Sequence, residues 1–329
     1  MNTARPTHRI PQPDQIPVLE LRRAFEAAQT AALRPAPADV QQQWIPGYKG
    51  EPLSVWIVRP KPAEGLVPAV MYFHGGGFVL GGFETHQRLV RDLAAASGMG
   101  FVFVEYSRAP EAVFPRAIEE CYAATRYIAE HGAEFGLDGA QHLAVAGDCA
   151  GANLAAAVAL LAKYRGGPRL RGQLLLTPML DATQSMPPDR ATPGYPQFTR
   201  DLAESYWRAY APDPEQRRHP MVSPALSSSS LLRGLPPACV ILGENDAVRR
   251  DGEAYAAKLE QAGVPATSVV FLGSSHDFLL RNSLAGRMAA RDALALAANF
   301  LSRSMAGAPP AADSRSTRPV PLEALAHIA

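Results

Sequence analysis

The chain has 329 residues, 47% of them hydrophobic, and its 32 basic and 31 acidic side chains leave a formal charge of +1. This length suits one large α/β domain with a modest addition better than two equal domains. Such balanced charge gives no long-range field pointing to nucleic acid or an anionic membrane, so the expected partner is a small, neutral or singly charged molecule.

The start of the chain and the cysteines indicate the compartment. Residues 1–17 are polar and proline-rich, and no apolar stretch approaches the ~20 residues of a membrane helix. The three cysteines, Cys121, Cys149 and Cys239, are widely spaced and contain no Cys-x-x-Cys pair, which argues against a disulfide framework and a zinc site. We therefore expect a cytoplasmic protein that uses no metal and no cofactor.

Apolar runs bounded by turn residues alternate with helical stretches along the chain, which predicts a sheet covered on both faces. From the third run onward we expect buried parallel strands. The predicted strands are residues 53–58, 69–73, 101–106, 142–146, 173–177, 238–242 and 268–272. The predicted helices between and after them are residues 84–96, 115–130, 150–164, 251–262 and 284–301, with Gly263 as a helix stop.

Two segments outside this alternation are predicted to form a lid. Residues 16–33 make a short amphipathic helix, and the proline- and aromatic-rich stretch before residue 227 contains a predicted helix at 199–210. The resulting division is an N-terminal cap segment 1–45, a core of 46–181 and 227–304, a cap insertion 182–226, and a disordered tail 305–329.

The stretch from Gly147 to Gly151 carries the strongest functional signal. It reads Gly-Asp-Cys-Ala-Gly and stands between a predicted strand and a predicted helix. This is the pattern of a nucleophile elbow, in which small residues two before and two after the nucleophile allow a strained turn to expose its reactive atom. Most such elbows carry serine, whereas Cys149 supplies a sulfur. Cys121 and Cys239 lie within a predicted helix and strand, and are interpreted as core residues.

A nucleophile of this kind needs a histidine base and an acid that orients it, in the order nucleophile, acid, histidine. Asp246 and His276 each follow the carboxyl end of a predicted strand, where open α/β sheets place their sites. Glu244 and Asp251 compete with Asp246 for the role of the acid. We expect Cys149, Asp246 and His276 to form a catalytic triad.

Acyl transfer also needs N–H donors for the oxyanion. Gly76 and Gly77, in a run of three glycines after a predicted strand, are the candidates together with the amide of Ala150. The glycine run lacks the third glycine of a dinucleotide fingerprint, and a flexible structural loop is the alternative interpretation.

Taken together, these motifs resemble those of the hormone-sensitive-lipase-like, or bacterial family IV, esterases over roughly residues 15 to 303. The matching segments are His74-Gly75-Gly76-Gly77-Phe78, Tyr106-Ser107-Arg108-Ala109-Pro110-Glu111, Gly147-Asp148-Cys149-Ala150-Gly151, Ser223-Pro224-Ala225, Asp246 and His276-Asp277-Phe278.

The resemblance implies an α/β-hydrolase fold with a mostly parallel eight-stranded sheet, helices on both faces and a helical cap. It also implies cofactor-free hydrolysis of esters with short to medium acyl groups, and often a homodimer. The lid segments would then shape the acyl and alcohol pockets. The predicted substrate-binding residues are Phe78, Tyr195, Phe198, Tyr206 and Trp207.

The chain departs from the family at two places. Cys149 replaces serine. Arg250 stands where the family has an acid near the triad loop, so the charge of the pocket need not match that of the family. A helix N-terminus and a nearby imidazole lower a thiol pKa, so a thiolate paired with imidazolium is the expected resting state.

Three explanations of Cys149 stay open. The first is a cysteine-dependent hydrolase of an ester, lactone or thioester. The second is an acyltransferase or cyclase of secondary metabolism, because a thioester intermediate is receptive to nucleophiles other than water. The third is a serine-to-cysteine variant of an ordinary carboxylesterase, or a protein that has lost catalysis. A receptor on the same scaffold would be expected to lose the histidine, which is present here as His276.

Overall fold

The structure, a computed structural model, describes residues 17–29, 34–183 and 198–306. Within these ranges eight strands form one sheet in the order β1-β2-β4-β3-β5-β6-β7-β8. The strands are β1 (Ala38–Pro46), β2 (Pro52–Pro60), β3 (Val67–Phe73), β4 (Gly100–Val104), β5 (Leu137–Asp148), β6 (Gln173–Leu176), β7 (Ala238–Asn245) and β8 (Ala266–Ser275). The α-helices are α1 (Val18–Ala28), α2 (Phe83–Ser97), α3 (Arg116–His131), α4 (Ala150–Tyr164), α5 (Arg200–Tyr210), α6 (Ser229–Leu232), α7 (Arg249–Gln261) and α8 (Met288–Ala306).

The sheet is antiparallel at one edge and parallel elsewhere. β2 pairs antiparallel with both β1 and β4, whereas β4, β3, β5, β6, β7 and β8 run parallel as neighbours. The parallel set includes β3, which was predicted as a strand but not among the parallel ones. β3, β4 and β6 are buried on both faces almost throughout, which explains why they read as continuous apolar runs.

Helices cover both faces of the sheet, as predicted. The cluster on one face takes buried residues from α3, α4 and α7, and the cluster on the other takes them from α2 and α8. α4 is the central helix, and all its residues from Ala150 to Ala162 are buried. The predicted α/β-hydrolase fold is therefore confirmed.

One strand, β1, was not predicted from the sequence. β1 lies at the edge of the sheet and is mostly exposed or half-buried, and its centre is the polar run from Gln41 to Gln43. An edge strand with so little buried surface carries no apolar run for a pattern to detect. The predicted boundary at residue 45 was therefore misplaced, because residues 38–46 belong to the sheet and not to the cap segment.

Other boundaries differ by small amounts. α8 continues to Ala306, past the predicted start of the tail at residue 305, and the rest of that predicted tail lies outside the described residues. Gly263, with φ +77°, follows the C-cap of α7 and ends the helix as expected. In the described part of the chain, no helix is both long and apolar enough to cross a membrane.

Candidate active site

The turn between β5 and α4 holds Cys149 in a strained conformation. Its φ of 51° and ψ of −115° are unusual for a residue with a side chain. A Cβ atom added to Gly151 would lie 1.9 Å from the carbonyl oxygen of Phe73, and one added to Gly147 would lie 2.4 Å from the backbone of Gly151. Only glycine fits at either position, so the elbow spacing has a steric cause.

Two further strand ends supply Asp246 and His276. Asp246 directly follows β7, and His276 directly follows β8. Nδ1 of His276 lies 2.9 Å from Oδ2 of Asp246, and both side chains are buried. The ring of Phe198 stacks on the imidazole with a centroid distance of 4.2 Å. The fold thus fixes the ring of His276 by a carboxylate at its edge and an aromatic ring at its face.

The sulfur of Cys149 faces the same space. One ligand atom each of Cys149, His276 and Asp277 all lie within 4.8 Å of one another. The sulfur is also 3.4 Å from the sulfur of Met179, a neighbour that no sequence motif had indicated. The triad residues are therefore brought together, although they lie far apart in the chain.

The protonation of the thiol differs from the expectation. Burial raises the pKa of Cys149, and this effect outweighs the lowering by the nearby His276. Burial opposes the charged form of His276, but the carboxylates of Asp246 and Asp277, with Cys149, raise its pKa well above the usual value. Burial of the sulfur thus opposes the thiolate expected from the sequence, whereas the charges around His276 favour the imidazolium half of that pair. The desolvation of the elbow could not be read from sequence.

The glycine loop after β3 forms another wall of the site. Gly76 and Gly77 both have positive φ, of +100° and +63°, and both line the cavity beside Cys149. A Cβ at Gly77 would lie 2.0 Å from the ring of Tyr206. Ala150 is the first residue of α4, so its N–H has no partner within the helix. These are the three positions predicted to provide oxyanion donors.

A cavity of about 360 Å³ opens above the sulfur. Its walls come mainly from α1, from α5 with the residues before it, and from the segment that follows His276. Apolar side chains dominate the lining, among them Leu21, Phe25, Leu202 and Leu280. Helices α1 and α5, which fall within the two predicted lid segments, therefore form walls of the cavity.

The five predicted substrate-binding residues separate into three groups. Phe198 and Tyr206 line the cavity. Phe78 and Trp207 do not, because Phe78 is fully buried and stacks on Tyr210 at 3.8 Å, with Trp207 packed beside it. Their rings join α5 to the glycine loop, so we correct their role to a structural one. The remaining residue, Tyr195, lies outside the described residues.

A buried polar network lies beneath the glycine loop. Asp148 accepts a hydrogen bond of 2.6 Å from Tyr72, and its other oxygen lies 3.3 Å from Nε2 of His86. Burial lowers the pKa of His74 to about 3, so that ring is neutral and stacks on Tyr106 at 4.2 Å. A side chain at Gly75 would collide with Asp148. The network therefore supports the loop from below, where the sequence showed only a motif.

The substitution at Arg250 does not change the charge of the pocket. Arg250 is exposed on α7 and does not line the cavity. Asp251, one residue further on, is buried, and its Oδ2 accepts hydrogen bonds from the amides of Leu180 and Asp181 at 3.0 and 3.1 Å. Asp251 thus holds the loop after β6, and of the three candidate acids it is Asp246 that contacts His276.

Comparison with known proteins agrees with this arrangement. A family model described as the alpha/beta hydrolase fold matches residues 70–280. The chain is 38% identical to the carboxylesterase NlhH of Mycobacterium tuberculosis over 66% of this chain and 69% of that protein. It is 34% identical to an ethyl acetate hydrolase of Pseudomonas putida over 80% of this chain and 84% of that protein.

Among solved structures, a thermostable esterase from Pseudomonas putida matches with a TM-score of 0.83 and 40% identity, over 89% of this chain and 91% of that one. The chain therefore belongs to the α/β-hydrolase fold family, as its sheet and strand-end site indicate. It is an enzyme of the esterase type.

Proposed function

We propose that the protein hydrolyses carboxylic esters with Cys149 as the nucleophile and a thioester as the acyl-enzyme intermediate. One observation carries the proposal: the thiol at the strained turn lies within 4.8 Å of an imidazole that Asp246 orients at 2.9 Å. The carboxylesterase and the ethyl acetate hydrolase among the relatives support an ester as the substrate class.

In the first half-reaction, the sulfur of Cys149 attacks the ester carbonyl carbon while the thiol proton passes to Nε2 of His276. The amides of Gly76, Gly77 and Ala150 donate to the oxyanion. Collapse of this intermediate breaks the carbon–oxygen bond, and Nε2 returns its proton to the departing alkoxide. The enzyme is left as a thioester, with the alcohol released.

In the second half-reaction, water attacks the thioester carbonyl and gives a proton to Nε2 of His276. The carbon–sulfur bond then breaks, the carboxylic acid leaves, and the sulfur regains a proton from the ring. Asp246 keeps the ring in the required tautomer throughout, because its carboxylate accepts from Nδ1. Each cycle consumes one ester and one water.

The cavity limits the substrate to a small, mainly apolar ester. Its volume of about 360 Å³ is near the lower end of the range of roughly 300–1,000 Å³ seen for small-molecule sites. Leucine and phenylalanine side chains favour hydrocarbon over charged groups. We therefore propose short to medium acyl chains as the preferred substrates.

Intact-mass spectrometry tests the nucleophile. After brief exposure to a short-chain p-nitrophenyl ester, we expect one added acyl group, located on Cys149 after peptide mapping. The Cys149→Ala variant should show no label and no turnover, whereas Cys239→Ala serves as a matched buried-cysteine control and should behave like the parent. Label on Cys121 or Cys239, with Cys149 unmodified, would contradict the assignment.

A serine variant distinguishes the effect of the sulfur atom from the effect of the shape of the site. Cys149→Ser keeps a nucleophile at the same turn, so we expect it to retain ester hydrolysis while losing the inactivation by iodoacetamide that the parent should show. Added amines, alcohols or thiols test the fate of the thioester. If such acceptors capture the acyl group in preference to water, transfer replaces hydrolysis as the function.

A further inference from the structure

One nitrogen of the active-site imidazole finds no hydrogen-bond partner among the described residues. Nε2 of His276 is buried without one, although the nearest carboxylate oxygen, Oδ1 of Asp277, is 3.4 Å away. Asp277 itself has a positive φ of 56°, which a residue with a side chain rarely adopts. Oδ1 of Asp277 also accepts from the hydroxyl of Thr177 at 3.4 Å, and ester hydrolysis as described gives this carboxylate no role.

The separation of these atoms fits a metal ion between them. With zinc–nitrogen and zinc–oxygen bonds of about 2.1 Å, tetrahedral ligands lie about 3.4 Å apart, which is the distance observed between His276 and Asp277. A thiolate in the same site lies about 3.6 Å from each of them. The sulfur of Cys149 is within 4.8 Å of both, so it must approach each of them by at most about 1.2 Å.

We propose that Cys149, His276 and Asp277 form a binding site for Zn²⁺ or a similarly thiophilic divalent ion, and that binding there inhibits the enzyme. The binding site itself does not depend on ester hydrolysis, whereas the inhibition rests on the proposed function. Three protein ligands with a fourth position facing the cavity is the arrangement of open zinc sites.

The surroundings of the three ligands favour a cation. The carboxylate of Asp246 accepts a hydrogen bond from Nδ1 of His276 at 2.9 Å. This is the carboxylate–histidine arrangement that orients histidines bound to metals. Asp148 and Asp246 act electrostatically on Asp277 in one direction, and His276 and Arg281 act in the other, while His86 lies 3.3 Å from Asp148. The two carboxylates attract a doubly positive ion toward the ligands.

The ligand types select the ion and explain inhibition. Thiolate and imidazole favour zinc and related transition metals over magnesium or calcium. On binding, the thiol of Cys149 loses its proton to solvent and a sulfur–metal bond forms. Sulfur held by the metal cannot attack a carbonyl, and Nε2 held by the metal cannot accept a proton. The ion and the substrate therefore exclude each other.

Cobalt reports the site directly, because a thiolate bound to Co²⁺ gives a charge-transfer absorption in the near ultraviolet. We expect this band when metal-free enzyme is titrated with Co²⁺, and its loss when Zn²⁺ is added. Esterase activity should fall with the same dependence on metal concentration. The band should be absent from Cys149→Ala and unchanged in the control Cys239→Ala.

Asp277→Asn tests the third ligand without disturbing the turn, because asparagine also tolerates a positive φ. We expect its affinity for Zn²⁺ to fall at least roughly tenfold. A parent enzyme that gives no cobalt band, a band that survives in Cys149→Ala, or an unchanged affinity in Asp277→Asn would each overturn the proposal. The band does not require turnover, so an enzyme inactive on esters that still shows it would refute only the proposed function.

Discussion

The imidazole of His276 and the carboxylate of Asp246 are joined at 2.9 Å through Nδ1 and Oδ2, in surroundings that exclude most water. An ionised carboxylate can only accept a hydrogen bond, so in the neutral ring the proton resides on Nδ1. Nε2 is then an acceptor directed at the cavity. The ability of His276 to take a proton from a nucleophile thus depends on Asp246.

Asp246→Asn should lower kcat/KM by about 10³- to 10⁴-fold, because an amide can donate to Nδ1 and stabilise the wrong tautomer. KM should change little, since the walls of the cavity are untouched. Steady-state kinetics on a short p-nitrophenyl ester would measure both. Glu244→Gln is the matched control, because the exposed carboxylate of Glu244 accepts from the amide of Gly273 at 2.8 Å and does not contact His276. A large loss in the control with little loss in Asp246→Asn would identify the wrong acid.

Gly77→Ala should abolish most activity and destabilise the fold. The added Cβ would meet the ring of Tyr206 at 2.0 Å, so either the ring or the glycine loop must move. Gly65→Ala is a suitable control because Gly65 has the same φ of +63° but open space around it. The control should lose only the roughly 1–2 kcal/mol of left-handed strain and keep its activity. Equal loss of activity and of unfolding free energy in both variants would show that crowding at Gly77 is unimportant.

Arg22→Ala should weaken substrate binding by loosening α1, the helix that forms one wall of the cavity. Arg22 donates to the carbonyl of Val79 at 2.9 Å and to both carboxylate oxygens of Glu111, while α1 itself has no fully buried residue. We expect kcat/KM for an apolar ester to fall roughly tenfold, mainly through KM. Arg23→Ala, on the exposed side of the same helix, should leave the kinetics unchanged. A loss of kcat/KM that comes entirely from a lower kcat, with KM unchanged, would contradict the prediction.

Asp251→Asn should stabilise the protein increasingly as the pH rises. Burial, with the nearby Asp181 and Asp246, raises the pKa of folded Asp251 to about 7, from a usual 3.8. Between these values the unfolded chain binds fewer protons than the folded one, so this group makes folding less favourable as the pH rises, until the effect levels off above the folded pKa. Asparagine still accepts from the amides of Leu180 and Asp181 but cannot ionise.

Urea unfolding measures this effect. The advantage of Asp251→Asn over the parent should be small near about pH 4 and reach at most a few kcal/mol near about pH 8. Asp292→Asn provides the comparison, because Asp292 is exposed on α8. An advantage that is the same at both pH values would mean that Asp251 ionises normally in the folded protein.

The sequence predicted some parts of the site in detail and missed others. It placed Asp246 and His276 at strand ends because strand, turn and helix leave local patterns. It did not identify Met179 or Asp277 as neighbours of the thiol, although Asp277 follows His276 directly. It also assigned Phe78 and Trp207 to the substrate pocket, since an aromatic residue beside a motif reads the same whether its ring faces the cavity or the core.

Local sequence patterns were sufficient to predict the order of the main elements apart from β1, the class of fold and the elbow. Those follow from local causes: the periodicity of apolar residues, and the absence of a side chain at Gly147 and Gly151 where backbones meet. Packing in three dimensions set the place of β1 in the sheet, the burial of the Cys149 sulfur and the composition of the cavity wall. Each of these depends on burial and on contacts between residues distant in the chain, and residue spacing does not encode how much water such packing removes.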